Sequence, residues 1–261
     1  MTSANPSFAD YVRSVSPEAL PAASADAFPA VHGTTIVAAR YRDGVVMAGD
    51  RRATMGSAIA MRDIEKVFSA DDQSIIGVAG VAGIAIELVR LFQVELEHFE
   101  KVEGVGLSFD GKANRLGSLI RGNLAQAMQG MAVLPLFIGW DERAVRGRMF
   151  SYDATGGRYE EHEFCSVGSG SAFARGALKK LYDPEADEQS AVAALLQSLY
   201  DAADDDSATS GLDLTRGIFP LVMRANADSV ARWSEQGVRE LAEQIITART
   251  GRPDGPRGYA L

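Results

Sequence analysis

Three residues could together do covalent chemistry: Thr34, directly after Gly33; Asp50, in Gly49-Asp50-Arg51-Arg52 at the end of an apolar run; and Lys66, at the start of another. A threonine hydroxyl is a weak nucleophile until an adjacent base takes its proton, and a free terminal amine can be that base. An α-amine titrates near ~7.7–8.0 and a lysine near ~10.4, so at neutral pH the amine is the better base. A lysine ammonium nearby lowers both the amine pKa and the cost of an alkoxide, and a carboxylate would hold that lysine charged and oriented. Spacing alone does not separate Asp50 or Lys66 from surface charges. Thr34 acquires a free amine only if the Gly33–Thr34 bond is cut, and residues 1–33 read as a segment to be discarded.

Other chemistries find less support. The histidines are His32, in the leader, His98, on a helical pattern among acidic residues, and His162, between Glu161 and Glu163 in an alternating run. None is singled out as the oriented base of a serine triad. Glu95-Leu96-Glu97-His98 lacks a second histidine at helical spacing, and Cys165 alone makes no thiolate site. Asp201, Asp204, Asp205 and Asp206 lack the calcium-loop pattern and read as an acidic loop after a helix. Gly168-Ser169-Gly170-Ser171 is followed by no Gly-Lys-Ser/Thr, and Phe173 breaks the dinucleotide pattern, so it reads as a turn into a helix with Ser169 or Ser171 near the N-cap. No cofactor and no metal is implied.

A length of 261 residues suits one large domain, and 46% hydrophobic with 23% charged residues is ordinary for a globular chain. A net charge of −9 argues against a nucleic-acid binder. A single cysteine permits no intrachain disulfide, which suits a reducing compartment. No apolar run approaches the ~18 residues of a membrane span. Pro6, Pro17, Pro21 and Pro29 interrupt the N-terminus, which fails as a secretory signal, so a cytoplasmic location is expected.

Residues 1–33, with only a short Phe8 to Val15 patch, read as a flexible leader. Thr35 to Tyr41 and Val45 to Ala48 are β-prone around a turn at Asp43-Gly44. Further strands are expected at Lys66 to Ala70 and Ser74 to Ala79. Helices follow from Ile84 to Lys101, ended by Gly104 and Gly106, and from Phe109 to Met131. Strands resume at Leu134 to Trp140, Arg148 to Asp153 and Tyr159 to Val167. Helices at Ser171 to Tyr182 and Gln189 to Ala203, a strand at Gly217 to Ala225 and a helix at Glu235 to Arg249 close a domain spanning 34–250. The Gly-, Pro- and Arg-rich residues 251–261 read as a flexible tail. Strands and helices thus come in blocks, the pattern of stacked antiparallel sheets covered by helices, an α+β fold.

Several motifs in this order resemble a known family. Gly-Thr-Thr-Ile-Val at 33–37, GVVMAGDRRAT at 44–54, EKVF at 65–68, GVAGVAG at 77–83 and VGSGSAFARG at 167–176 look like a proteasome β-subunit. ELEHFEKVEG, RGNLAQAMQG and YDAADDDSAT…RGIFP are similar to the actinobacterial 20S type. The resemblance covers about residues 33–250. It implies the N-terminal-nucleophile hydrolase fold, a four-layer αββα sandwich of two antiparallel sheets flanked by helices. It also implies a threonine endopeptidase in a barrel of four seven-membered rings, β-subunits inside and α-subunits outside, fed with tagged proteins by a ring-shaped ATPase.

Carried over motif by motif, the resemblance makes Thr34 the nucleophile, Asp50 and Lys66 its charged partners, and Gly80 the N–H donor to the oxyanion. Ser169, Asp206 and Thr209 match polar residues near the terminal amine, Thr209 replacing a frequent serine. Ser210 stands where many members have glycine, and Asp205 where many have arginine. Substrate would lie extended beside Thr54 and Gly80. Ala53, Ile64, Phe68, Val78 and Ala82 would surround the side chain before the cut, favouring apolar residues; the plainer alternative has Phe68 and Val78 filling core. The leader would leave by attack of Thr34 on Gly33. Two rivals are the simpler two-ring threonine peptidases, whose aspartate is typically followed by Gly-Gln, and a non-catalytic β-subunit, against which Thr34, Asp50 and Lys66 speak together.

Overall fold

Strands β1 (Thr35–Tyr41) and β2 (Gly44–Gly49) form the expected hairpin, with Arg42 and Asp43 as its turn and Gly44 already in the strand. The computed structural model describes residues 33–255; expectations about residues 1–32 and 256–261 lie outside the described residues. A second hairpin, β3 (Ala53–Met55) with β4 (Ala58–Met61), was not anticipated. It is short, and apart from Ala53 and Thr54 its residues are exposed or half-buried, Met55 and Met61 among the exposed, so no alternating apolar pattern marks it in the sequence. Next come β5 (Val67–Ser69), β6 (Ser74–Gly80), α1 (Ala82–Glu103) and α2 (Phe109–Gly122). Gly104 caps α1 in the left-handed conformation, and the Ser108 hydroxyl caps α2 by accepting from Gly111 N–H.

The second helix does not run to Met131. It stops at Gly122 and Asn123, and only a four-residue α3 (Leu124–Ala127) follows. The reason is packing: no residue of α3 is buried, so its helical spacing has no core to meet. Then β7 (Val133–Asp141) and β8 (Arg146–Tyr152) lead to the largest departure. The run expected as one strand from Tyr159 to Val167 is two, β9 (Arg158–Glu161) and β10 (Phe164–Gly168), and they belong to different sheets. The break falls at His162 and Glu163, both exposed, where the chain crosses from one sheet to the other. The chain ends with α4 (Ser171–Leu181), α5 (Glu188–Asp205), β11 (Leu221–Asn226), an unanticipated β12 (Val230–Arg232) and α6 (Glu235–Thr250). Gly170 is the N-cap of α4, with Ser169 and Ser171 on either side of it as expected. From the last turn of α6, Arg249 donates to the Pro253 carbonyl and pairs with Asp201, tying the residues after α6 to α5.

Two five-stranded antiparallel sheets result, ordered β10-β1-β2-β11-β12 and β5-β6-β7-β8-β9. Strand alternation assigns each side chain to one of three cores. Ile36, Met47, Ile75, Ile138, Met149 and Met223 fill the space between the sheets. Val37, Ala39, Val46 and Val222 turn outward against α4, α5 and α6. Ile76, Phe137 and Phe150 face α1 and α2, with Phe92 edge-on to Phe137. Both sheets are buried on both faces, which is why β1 and β2 read as nearly continuous apolar runs. The layers are therefore helix, sheet, sheet, helix, the four-layer αββα arrangement expected.

Candidate active site

The β1–β2 register pairs Ile36 with Gly49, which leaves Asp50 beside Thr35 at the start of β1. Asp50 N–H donates to the Thr35 carbonyl at 3.1 Å, fixing that approach. The other sheet brings Lys66, the residue before β5, whose carbonyl accepts from Val78 N–H on β6 at 2.9 Å. Each sheet thus supplies one charge at the same end of the sandwich. They meet as a buried ion pair, Lys66 Nζ to Asp50 Oδ1 at 2.6 Å, with side-chain exposures of 4% and 0%.

A buried pair persists only if its remaining valences are satisfied, and these are. Asp50 Oδ1 also accepts from Thr35 N–H at 2.8 Å, and Oδ2 accepts from Arg52 N–H at 2.9 Å and Ser210 N–H at 3.0 Å. Lys66 donates to Asp50, to the Arg52 carbonyl and to the Gly33 carbonyl at 3.0 Å. An ammonium has three protons, so all three are engaged. Burial lowers the Lys66 pKa from its ordinary value, and the Asp50 charge opposes that shift. In this arrangement Lys66 acts on the Gly33 carbonyl as a charged donor, with no lone pair directed at Thr34.

Thr34 is 6% exposed, and its Oγ1 donates to the Gly33 carbonyl at 2.6 Å. The carbonyl preceding Thr34 is therefore held between a hydroxyl and an ammonium. Gly33 has φ +100°, and a Cβ there would lie 2.6 Å from Thr54 Oγ1 and 3.1 Å from Ala208 Cβ. Only glycine takes that conformation freely.

On the other side of Thr34 lies a hydroxyl and carboxylate cluster. Ser169, just after β10, donates its N–H to the Thr34 carbonyl at 2.9 Å. Its Oγ donates to Asp206 Oδ2 at 2.6 Å, and Thr209 Oγ1 donates to the same oxygen at 2.6 Å. Burial pushes the Asp206 pKa up, but bonds from Ser169, Thr209 and Ala208 N–H and the Arg52 charge outweigh it, leaving the carboxyl below its usual range. Asp206 is the C-cap of α5, and Thr209 is fully buried in the loop after it.

Gly80, Ala53, Ile64, Val78 and Ala82 line one pocket with Gly33, Thr34 and Lys66; Glu65, Ala85 and Ile86 complete it. Thr54 is beside Gly33 on β3. Phe68 is the exception and needs correction: it does not line this pocket. On β5 Val67 turns into the space between the sheets and Phe68 to the α1 side, the side of Val78 and Ala85, but it packs half-buried in the core there instead of reaching the pocket. Val78 does both, lining the pocket and filling the core beneath α1.

The sequence reading missed Thr35 and the structural part of Ser210. Thr35 is fully buried and bonds to Asp50, Gly170 and Thr209. A polar residue opening an otherwise apolar buried strand was the available signal. Ser210 stood out only as a departure from a common glycine, yet its Oγ accepts from Arg51 N–H at 3.0 Å and lies 3.3 Å from Asp50 Oδ2.

Chemically, the cluster can polarise the Gly33 carbonyl and supply a hydroxyl nucleophile next to it. Similarity to known proteins agrees. A family model described as Proteasome subunit matches residues 30–214. The chain is 60% identical over 231 residues to a proteasome subunit beta of Acidothermus cellulolyticus, covering 86% of this chain and 79% of that protein. It is 53% identical over 266 residues to one of Streptomyces griseus, covering 100% of this chain and 95% of the other. A third, from Rhodococcus opacus, is 54% identical over 265 residues, covering 94% and 90%. With more than half its length matched and these identities over nearly all of it, the chain belongs to the proteasome subunit family.

Proposed function

We propose that this chain is a catalytic β-subunit of a bacterial 20S proteasome and that Thr34 is its nucleophile. The observation that carries the reading is the Gly33 carbonyl bonded at once to Thr34 Oγ1 and to the Asp50-paired Lys66 ammonium. In the precursor, Thr34 Oγ bonds to the Gly33 carbonyl carbon. The Gly33–Thr34 C–N bond then breaks, and the hydroxyl proton passes to the departing nitrogen. Water hydrolyses the resulting ester, releasing residues 1–33 and regenerating the hydroxyl.

In the mature enzyme the freed amine takes the Thr34 hydroxyl proton as Oγ attacks a substrate carbonyl. That proton goes to the leaving peptide amine, and water then cleaves the acyl ester. Gly80 N–H stabilises the oxyanion, a role in which one lost donor costs ~3 kcal/mol. Ala53, Ile64, Val78 and Ala82 give this pocket apolar walls, and its two charged residues, Lys66 and Glu65, are already paired with Asp50 and Arg232, so apolar residues fit before the cut. The subunit works in a seven-membered β ring between α rings, in the cytoplasm, on proteins unfolded by a ring-shaped ATPase. The similarity to proteins named proteasome subunit beta supports that assembly.

The test is co-expression with the cognate α-subunit, then N-terminal sequencing and a fluorogenic peptide assay. A new N-terminus at Thr34 with turnover is expected. Thr34→Ala should keep the leader; normal loss of residues 1–33 in that variant, read by intact mass, would refute self-processing.

A further inference from the structure

Thr35 joins the two carboxylates that flank Thr34. Its N–H donates to Asp50 Oδ1 at 2.8 Å. Its Oγ1 accepts from Gly170 N–H at 2.9 Å and lies 2.6 Å from Thr209 Oγ1. Thr209 Oγ1 in turn lies 2.6 Å from Asp206 Oδ2. Thr35 and Thr209 are both fully buried.

The direction of each bond follows from proton counting. An ionised Asp206 can only accept, so the single Thr209 proton points to it. Thr209 is then the acceptor for Thr35, and Thr35 the acceptor for Gly170. The result is a one-way chain, Gly170 N–H to Thr35 to Thr209 to Asp206, met at the same Asp206 oxygen by Ser169. The residue between Gly168 and Gly170 is the one whose N–H tethers the Thr34 carbonyl. A shift of Thr35 would therefore move both the Asp206 carboxylate and the tether of the nucleophile.

We propose that Thr35 is a positioning residue for the reaction at Thr34, its hydroxyl proton locking the Thr209–Asp206–Ser169 cluster in one orientation while its amide holds Asp50. The inference rests on the reading of Thr34 as nucleophile. Thr35→Val keeps the shape but leaves Thr209 without its donor and Gly170 N–H without its acceptor. Thr35→Ser keeps the chain intact. The substrate pocket lies on the Gly80 side of Thr34 and contains neither Thr35 nor Thr209, so the loss should fall on kcat rather than KM.

The experiment uses the particle assembled with its α-subunit, an apolar fluorogenic peptide, and a peptidyl boronate that titrates Thr34 hydroxyls. In Thr35→Val, kcat per titrated site should fall about tenfold or more, the scale of leaving buried polar groups unpaired. KM should stay within about twofold, and Thr35→Ser should stay within about threefold of wild type, because the proton chain survives. Thr209→Val cuts the same chain, so the double variant should be no slower than the worse single one. The acid limb of kcat/KM should also move in Thr35→Val, because the carboxylate that receives Ser169 and Thr209 is no longer held in fixed geometry.

An unchanged kcat per titrated site, a Thr35→Ser variant as slow as Thr35→Val, or additive losses in the double variant would each overturn the proposal. If Thr35→Val does not assemble, Thr209→Val against Thr35→Ser carries the same comparison. Should the boronate fail to label Thr34 in the wild type, the nucleophile reading fails first and this inference with it.

Discussion

Asp50 accepts from Thr35, Lys66, Arg52 and Ser210, and every one of these partners donates. An amide there would have to turn its NH2 toward donors on one side or the other. Asp50→Asn should therefore lower peptide hydrolysis at least ~100-fold, since a buried donor conflict adds to the loss of the Lys66 counter-charge. The check is kcat on an apolar peptide, with the assembled particle confirmed by gel filtration. Gly33 is constrained as tightly for a different reason: positive φ and a Cβ position already occupied by Thr54 Oγ1. Gly33→Ala should slow leader removal by about tenfold or more through that strain. Turnover by chains that have been cut should be unchanged. A time course of intact mass beside a peptidase assay separates the two effects.

At the scale of elements, β8 is pinned to its neighbours by Arg148. Its guanidinium pairs with Asp110 of α2 and Asp141 of β7 at 2.8 Å each and with Glu160 of β9 at 2.9 Å, and lies over the Phe109 and Phe150 rings. Arg148 hydrogen bonds hold the Asp110 and Glu160 carboxyls below their usual range. Asp141 is also lowered: burial pushes it up, but Arg148 and two backbone N–H groups outweigh that. Carboxylates with lowered folded-state pKa stabilise the fold above the unfolded values near ~4 and lose that contribution as pH falls through the folded values. Arg148→Leu should thus cost about 2 kcal/mol at pH 7, discounted for the half-exposed Asp110. The gap between variant and wild type should shrink near pH ~3, where the carboxylates are protonating in both. Thermal unfolding at the two pH values reads this; an equal gap at both would contradict the ionic origin.

For the whole molecule, the site lies where one end of each sheet meets the other, with the Gly33 carbonyl inside it. Such a site depends on the sheets keeping their relative position. The loop from 206 to 210, which carries Asp206, Thr209 and Ser210, is held chiefly by the site itself. Assembly should therefore raise activity: the chain co-expressed with an α-subunit should be cut at Thr34 and turn over peptide, while the isolated chain should process at least ~10-fold more slowly, because a loosely held site loses the geometry it needs. Intact mass and peptidase rates on both preparations test this.

Block order of strands and helices determined the α+β class, and apolar runs located β1, β2, β6 and β7, because a strand buried on both faces must be apolar throughout. Exclusion of histidine and cysteine chemistry, with Gly33-Thr34 at a composition boundary, marked the nucleophile candidate, and the family motifs supplied Asp50, Lys66, Gly80, Ser169, Asp206 and Thr209. What tertiary structure alone decided was partnership. Packing that the sequence does not show set Phe68 in the α1 core rather than among the residues that line the pocket. The crossing at His162 and Glu163 split an apparently continuous strand between two sheets, because sheet membership depends on long-range pairing. Thr35 became visible only when β1 met the start of α4 and the end of α5: a buried hydroxyl is defined by the groups around it, and those come from residues far along the chain.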